Sequence, residues 1–167
     1  MQTKIFLLVA LAALTEARFG QEGSVQNIIQ GLGAFGNPGA AGTLAGQTPG
    51  VLLAGASACA QLELADQIVA ELGTDPEVIA AAAALVAAEK NFNPFAQDTP
   101  NLCSDASLPA TPELRGIIPA VDPAVDGADV QNANSATSLA TPFDATGLSV
   151  AEVSRAQGFE NFNDQAA

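Results

Sequence analysis

The stretch that most constrains this chain is residues 74–90, TDPEVIAAAAALVAAEK. It opens as helices open: Thr74 or Asp75 can cap, Pro76 suits the first helical position, and Glu77 faces the positive end of the helix dipole. With Thr74 as the cap, Glu77 also closes a capping box. Across residues 78–88 no side chain is polar on any face. A surface helix keeps a polar stripe, whereas one that is apolar all round is buried. Crossing a bilayer takes about 20 residues, more than this run offers. It therefore reads as the central helix of a compact helical domain, its alanines letting neighbouring backbones come close.

A partner helix precedes it. In residues 51–72, VLLAGASACAQLELADQIVAEL, the positions Val51, Gly55, Ala58, Leu62, Ala65, Val69 and Leu72 recur at alternating three- and four-residue spacing. That is one narrow helix stripe of small and aliphatic residues. Glu63, Asp66, Gln67 and Glu71 fall largely on the other side. Gly73 ends this helix and Thr74-Asp75-Pro76 starts the next at once, so the two form an antiparallel helical hairpin.

Residues 1–17 read as a signal peptide. Lys4 is basic, IFLLVALAAL at 5–14 is an apolar run of the right length, and Thr15-Glu16-Ala17 offers small residues before a cut ahead of Arg18. Residues 18–49 are rich in Gly, Ala and Gln. SVQNIIQ at 24–30 makes about two turns of helix, capped by Ser24 and stopped by Gly31 and Gly33. GLGAFGNPGAAGTLAGQTPG at 31–50 then reads as a flexible arm.

Residues 50–167 form a disulfide-stapled helical domain. Pro94 and Pro100 break regularity after Lys90, and Phe92 and Phe95 cap the hairpin core. Thr111-Pro112-Glu113 starts a short turn of helix, and residues 121–141 read as extended or irregular. The last element begins at Ser149, which makes an S-x-x-E capping box with Glu152. Val150 and Val153 face inward, Leu148 staples onto Val153, Gly158 ends the helix, and Phe159 and Phe162 dock the tail. No pair of alternating strands stands out. The expected fold is mainly α, a small helical domain with long ordered loops and a flexible Gly/Ala-rich N-terminal arm.

Net charge is −13 and the pI near 4.1. Beyond the signal peptide the cations are Arg18, Lys90, Arg115 and Arg155. Neutralising phosphates takes clustered Lys or Arg, so nucleic acid and anionic membranes are excluded as partners. The two cysteines, Cys59 and Cys103, form a disulfide in a secreted chain. Closing a loop of about 45 residues, it contributes roughly 3–4 kcal/mol. The chain ends in the polar GFENFNDQAA, which lacks the hydrophobic tail of a lipid-anchor signal.

The sequence holds no His, Tyr or Trp. The usual base for a Ser or Cys nucleophile is therefore missing, and a Ser–Lys pair would have to use Lys90. Glu63 and Asp66 are the only candidates for a glycosidase-like carboxylate pair, without the aromatic platforms a sugar cleft favours. Asp122, Asp126 and Asp129 in DPAVDGAD, with Gly127 for a tight turn and Asn132 and Asn134 close behind, supply oxygens suited to calcium, but not at EF-hand spacing. Their alternative role is turn chemistry. GLGAFG at 31–36 has G-x-G-x-x-G spacing without the strand and helix a dinucleotide site needs. No resident cofactor is expected.

Two phrases carry a resemblance: VLLAGASACAQLELADQIVAELGTDPEVIAAAAALVAAEKNFNPF and NLCSDASLPATPELRGIIPAVDPAVDG. In these the chain resembles small secreted, alanine-rich proteins of filamentous fungi, over residues 49–162. The resemblance implies a secreted role facing a host or the cell wall, and assigns no functional residues. The expected function is thus a secreted, non-enzymatic interaction protein, cell-wall-associated or effector-like, whose partner is an extracellular macromolecule. An alternative is an extracellular carrier of a small apolar ligand, lined by residues 78–88, the 51–72 stripe, Phe92 and Phe95. Self-association through an alanine-rich face is left open.

Overall fold

The computed structural model describes residues 21–90 and 99–167. The expected signal peptide, Arg18, Phe92 and Phe95 lie outside the described residues. In order, the elements are α1 (Gln21–Gln30), α2 (Ala40–Val51), α3 (Ala60–Leu72), α4 (Pro76–Ala87), β1 (Asn101–Cys103), a 3-10 turn (Pro112–Leu114), α5 (Ala128–Ala140), α6 (Val150–Ala156) and β2 (Asn163–Gln165). The protein is mainly helical, and among the described residues no helix is long and apolar enough to cross a membrane.

Helix α4 lies at the centre. Asp75 caps it, its carboxylate accepting the Glu77 N–H at 3.0 Å, and Pro76 takes the first position. α1, α3, α5 and the 3-10 turn all touch it. Val78, Ala82, Leu85 and Val86 are fully buried, and only Ala80 on this helix beyond its first turn is exposed. The helix stops at Ala87, short of Lys90, where Ala88 turns to extended backbone. The buried Gln61 Nε2 points at the Leu85, Val86 and Ala88 carbonyls, at 2.6, 3.1 and 2.8 Å. An amide has two hydrogens, so the three oxygens share them. The Ala87 carbonyl accepts from the Ala120 N–H at 3.0 Å. Because Gln61 lies in the first turn of α3, the start of α3 sits beside the end of α4.

The expected helix over 51–72 is divided. α2 ends at Val51, and residues 52–59 turn back on themselves through bonds such as Ala56 N–H to the Leu53 carbonyl at 3.0 Å, so that Cys59 stands just before α3 rather than in mid-helix. Pro49 and Gly50 lie in the last turn of α2, and Gly55, a weak helix former, falls within the break.

The stretch expected as a flexible arm is structured over residues 40–51. In α2, Ala41, Leu44, Ala45 and Thr48 are buried, at i, i+3, i+4 and i+7, and the helix packs on α1 and α3. Gly42, Gly46 and Gly50 are exposed. A helical glycine costs about 1 kcal/mol relative to alanine; burial of the inward stripe outweighs it. At Gly36, φ is 67°, and a Cβ would press into the Glu71 carbonyl and Leu72. This glycine serves close approach to the end of α3.

Residues 121–141, expected to be irregular, contain α5. Its buried stripe is Ala128, Gln131, Ser135 and Ser138, a helical spacing written in small and polar side chains. Gln131 Nε2 donates to the Pro119 carbonyl at 2.7 Å, and Ser138 Oγ accepts the Ile118 N–H at 3.2 Å. These bonds to an adjoining segment that is not in a helix offset part of the cost of burying the stripe, while the buried Gln131 Oε1 has no hydrogen-bond partner among the described residues.

The tail closes the molecule. Ser149 and Glu152 make a complete capping box, and Val150 and Val153 are buried. Phe159 and Phe162 stack at 5.5 Å and join Leu102, Val121, Val125, Ala128 and Ala151 in a second, smaller core. β2 pairs in parallel with β1, setting Cys103 opposite Gln165; three-residue strands leave no alternation to read. Cys59 and Cys103 are bonded, with Cα atoms 4.8 Å apart.

The two roles of glycine give opposite substitution effects. Gly42→Ala, with nothing within 4 Å of the added carbon, is expected to raise unfolding free energy by about 0.5–1 kcal/mol. Gly36→Ala is expected to lower it by about 1–3 kcal/mol. Urea denaturation of the two variants checks both signs.

Candidate functional site

Between the start of α3, β1 and residues 119–121 lies an open cleft of about 380 Å³, counted with its mouth. Leu62, Val86, Leu102, Val121 and Val150 form apolar walls, and Gln61, Lys90 and Asn101 bring polar groups. Its interior is narrow, with room for on the order of one water molecule. The α3–α4 contact, the expected wall of an apolar cavity, is filled by its own side chains: Leu62, Ala65, Ile68, Ala82 and Leu85 are at most 2% exposed.

Among the described residues Lys90 is the one cation lining this cleft. Its ammonium donates to the Ala54 carbonyl at 3.0 Å, and burial holds its pKa below the ordinary lysine value. Among the described residues no side chain lining the cleft carries a hydroxyl or a carboxylate, so none of them pairs with Lys90 as a Ser–Lys couple would need.

Asp66 and Glu63 share α3 but have different surroundings. Glu63 is exposed. Asp66 accepts the Ala110 N–H at 2.7 Å on one oxygen and the Thr111 N–H at 2.8 Å on the other. Its carboxylate is a clasp on the loop that enters the 3-10 turn.

The three aspartates considered for calcium do not converge. Among the described residues no three His, Cys, Asp or Glu side chains are placed to hold a metal ion. Asp122 is buried and accepts the Ala124 N–H at 2.7 Å, whereas Asp126 and Asp129 are exposed, on the turn into α5 and in its first turn. The physical reason is the helix itself: once residues 128–140 coil, the oxygens of this segment are directed to the turn and the surface. The nearby asparagines are engaged as well. Asn132 accepts the Val121 N–H at 2.8 Å and donates to the Val121 carbonyl at 2.9 Å, standing in for a peptide group of a neighbouring strand. Asn134 donates to the Gln157 carbonyl at 3.0 Å. The G-x-G-x-x-G at 31–36 follows helix α1 rather than a strand.

Sequence reasoning passed over Arg115. Its guanidinium donates to the carbonyls of Pro109 at 3.1 Å, Ala145 at 2.9 Å and Leu148 at 2.7 Å, tying two loops together. No neighbouring side chain in the sequence announces this, because the acceptors are backbone groups, two of them 30 and 33 positions away.

Three surface carboxyls titrate below their usual range. The Ser107 hydroxyl and then its N–H lower Asp105; the Thr146 N–H and then its hydroxyl lower Asp144; the Ser149 N–H, its hydroxyl and, last, the Arg155 charge lower Glu152. A carboxyl depressed in the folded state stabilises it above the unfolded pKa and loses that contribution as pH falls through the folded value. Thermal stability is therefore expected to be level from neutral pH to about 5 and to fall below about 4. Ser149→Ala should lower the melting temperature at neutral pH and lessen the acid-dependent loss; calorimetry across that range checks both.

The clasp gives a second test. Asp66→Ala is expected to cost about 1–2 kcal/mol by stranding two N–H groups, and Glu63→Gln to change stability by less than about 0.5 kcal/mol. Equal effects in denaturant titrations would remove the clasp.

Compared with protein-family models, curated proteins and solved structures, the chain matches none.

Proposed function

We propose that this protein is a secreted, non-enzymatic interaction protein, wall-associated or effector-like, of the kind its alanine-rich segments resemble. The observation that carries the reading is the buried Cys59–Cys103 bridge, because such bonds persist in oxidising, extracytoplasmic surroundings. The apolar run at 5–14 is the address that takes the chain there. The rigid body is the antiparallel hairpin of α3 and α4, stapled to β1 by the bridge.

The disposition of the polar side chains supports an interaction role over a catalytic one. Asp66, Lys90, Arg115 and Glu152 each hold backbone groups in place. The acids that remain on the surface, Glu71, Glu77, Glu113, Asp126, Asp129 and Glu160 among them, are exposed. Spread over several elements, they give the surface a negative charge that disfavours polyanions and leaves an extracellular wall or host component as the partner.

Native mass spectrometry of the protein from secreting cells tests the proposal. The expected species begins near Arg18, lacks two hydrogens for the bridge and carries no small molecule; deleting residues 5–14 abolishes its export. Export without those residues would sink the secreted reading. A retained apolar molecule would turn the assignment to a ligand carrier.

A further inference from the structure

Gln165 stands where both half-cystines meet. In the β1–β2 register it is opposite Cys103. Its backbone carbonyl accepts the N–H of Ser104, the residue after Cys103, at 2.8 Å. Its side-chain oxygen accepts the N–H of Ala58, the residue before Cys59, at 2.8 Å. The same backbone oxygen lies 3.4 Å from Cys59 Sγ. An oxidised sulfur has no hydrogen to give, so this is a covering contact rather than a hydrogen bond. Beneath this cover Cys59 and Cys103 are 0% and 2% exposed.

The cover is thin. Asn163 and Asp164 are exposed, and the ladder is three residues long. The ion pair that holds the strand, Arg155 to Asp164 at 3.0 Å, has side chains 43% and 51% exposed, where such pairs contribute little. Arg155 also sits over the Phe162 ring, 4.9 Å from its centre. Lifting residues 163–165 would leave α3, α4 and the main core intact, and segments of this kind open far more often than whole domains unfold.

We infer that β2 is a latch that governs chemical access to the Cys59–Cys103 bridge. A thiol reaches the sulfurs when β2 lifts, without global unfolding. A dithiol thiolate attacks one sulfur, the S–S bond breaks, and a mixed disulfide forms. The second thiolate then displaces the remaining protein thiolate, the dithiol leaves as its cyclic disulfide, and the two protons it loses end on the protein thiols. The bridge pins β1 to the start of α3 across the cleft, so its reduction frees one wall of that cleft.

The test is the rate at which dithiothreitol reduces the folded chain, read by alkylation of the released thiols and mass spectrometry. Gln165→Ala and a chain ended after Phe162 are expected to be reduced at least about tenfold faster than the parent, as a latch opened locally requires. Ile29→Ala, which weakens the main core from α1, is expected to leave the rate unchanged. The inference is overturned if the latch variants react at the parental rate, or if Ile29→Ala accelerates reduction as much as they do. Should the shortened chain not fold, Gln165→Ala, which removes one side-chain bond, decides the matter with the core variant.

Discussion

Because α4 has no polar side chain across residues 78–88, nearly every face of it has to be turned from water, and the other elements are disposed to do this. α3 covers one side after a three-residue joint, α1 and α5 take others, and the 3-10 turn closes a further gap. Alanine makes such all-round cover feasible, since it brings backbones close and leaves little volume to fill. What side-chain packing cannot solve is the end of the helix, where unpaired carbonyls remain. Gln61 solves it from the neighbouring helix. One amide thereby fixes how far α3 and α4 can slide past one another.

The same economy recurs in the loops. A carboxylate, a guanidinium or an amide joins distant backbone segments: Asp66 holds residues 110 and 111, Arg115 gathers three carbonyls, and Asn132 pairs with Val121. The connections over residues 109–121 and 145–148 are tied at these polar points without long strands. The groups engaged this way serve the architecture of the loops.

Local signals were the legible ones. The Asp75-Pro76-Glu77 helix start, the Ser149–Glu152 box, the inward Val150 and Val153, the docking of Phe159 and Phe162, and the cysteine pair all depend on neighbours in sequence or on simple counting. α2 and α5 were obscured because, Leu44 apart, their inward stripes are Ala, Thr, Ser and Gln, residues that register weakly on any hydrophobic pattern. Glycine content around residues 31–50 suggested freedom where Gly36 in fact allows contact. The candidate site was legible only in its ingredients. Asp66 was noticed as an acid, but its partners lie 44 and 45 residues away, beyond the reach of spacing rules. The aspartates at 122, 126 and 129 lie at the entry to a helix that composition did not reveal, the first buried in its own turn and the other two exposed.

The pairing of Asn132 with Val121 gives the molecule a way to age. Hydrolysis of a side-chain amide turns asparagine into aspartate, whose two oxygens accept and do not donate. At this position the new oxygen would face the Val121 carbonyl, and an attraction would become a repulsion between like poles. The damage would fall where residue 121 borders both the cleft and the second core. A single spontaneous chemical event could therefore loosen the tail end of the protein while α3 and α4 stayed packed.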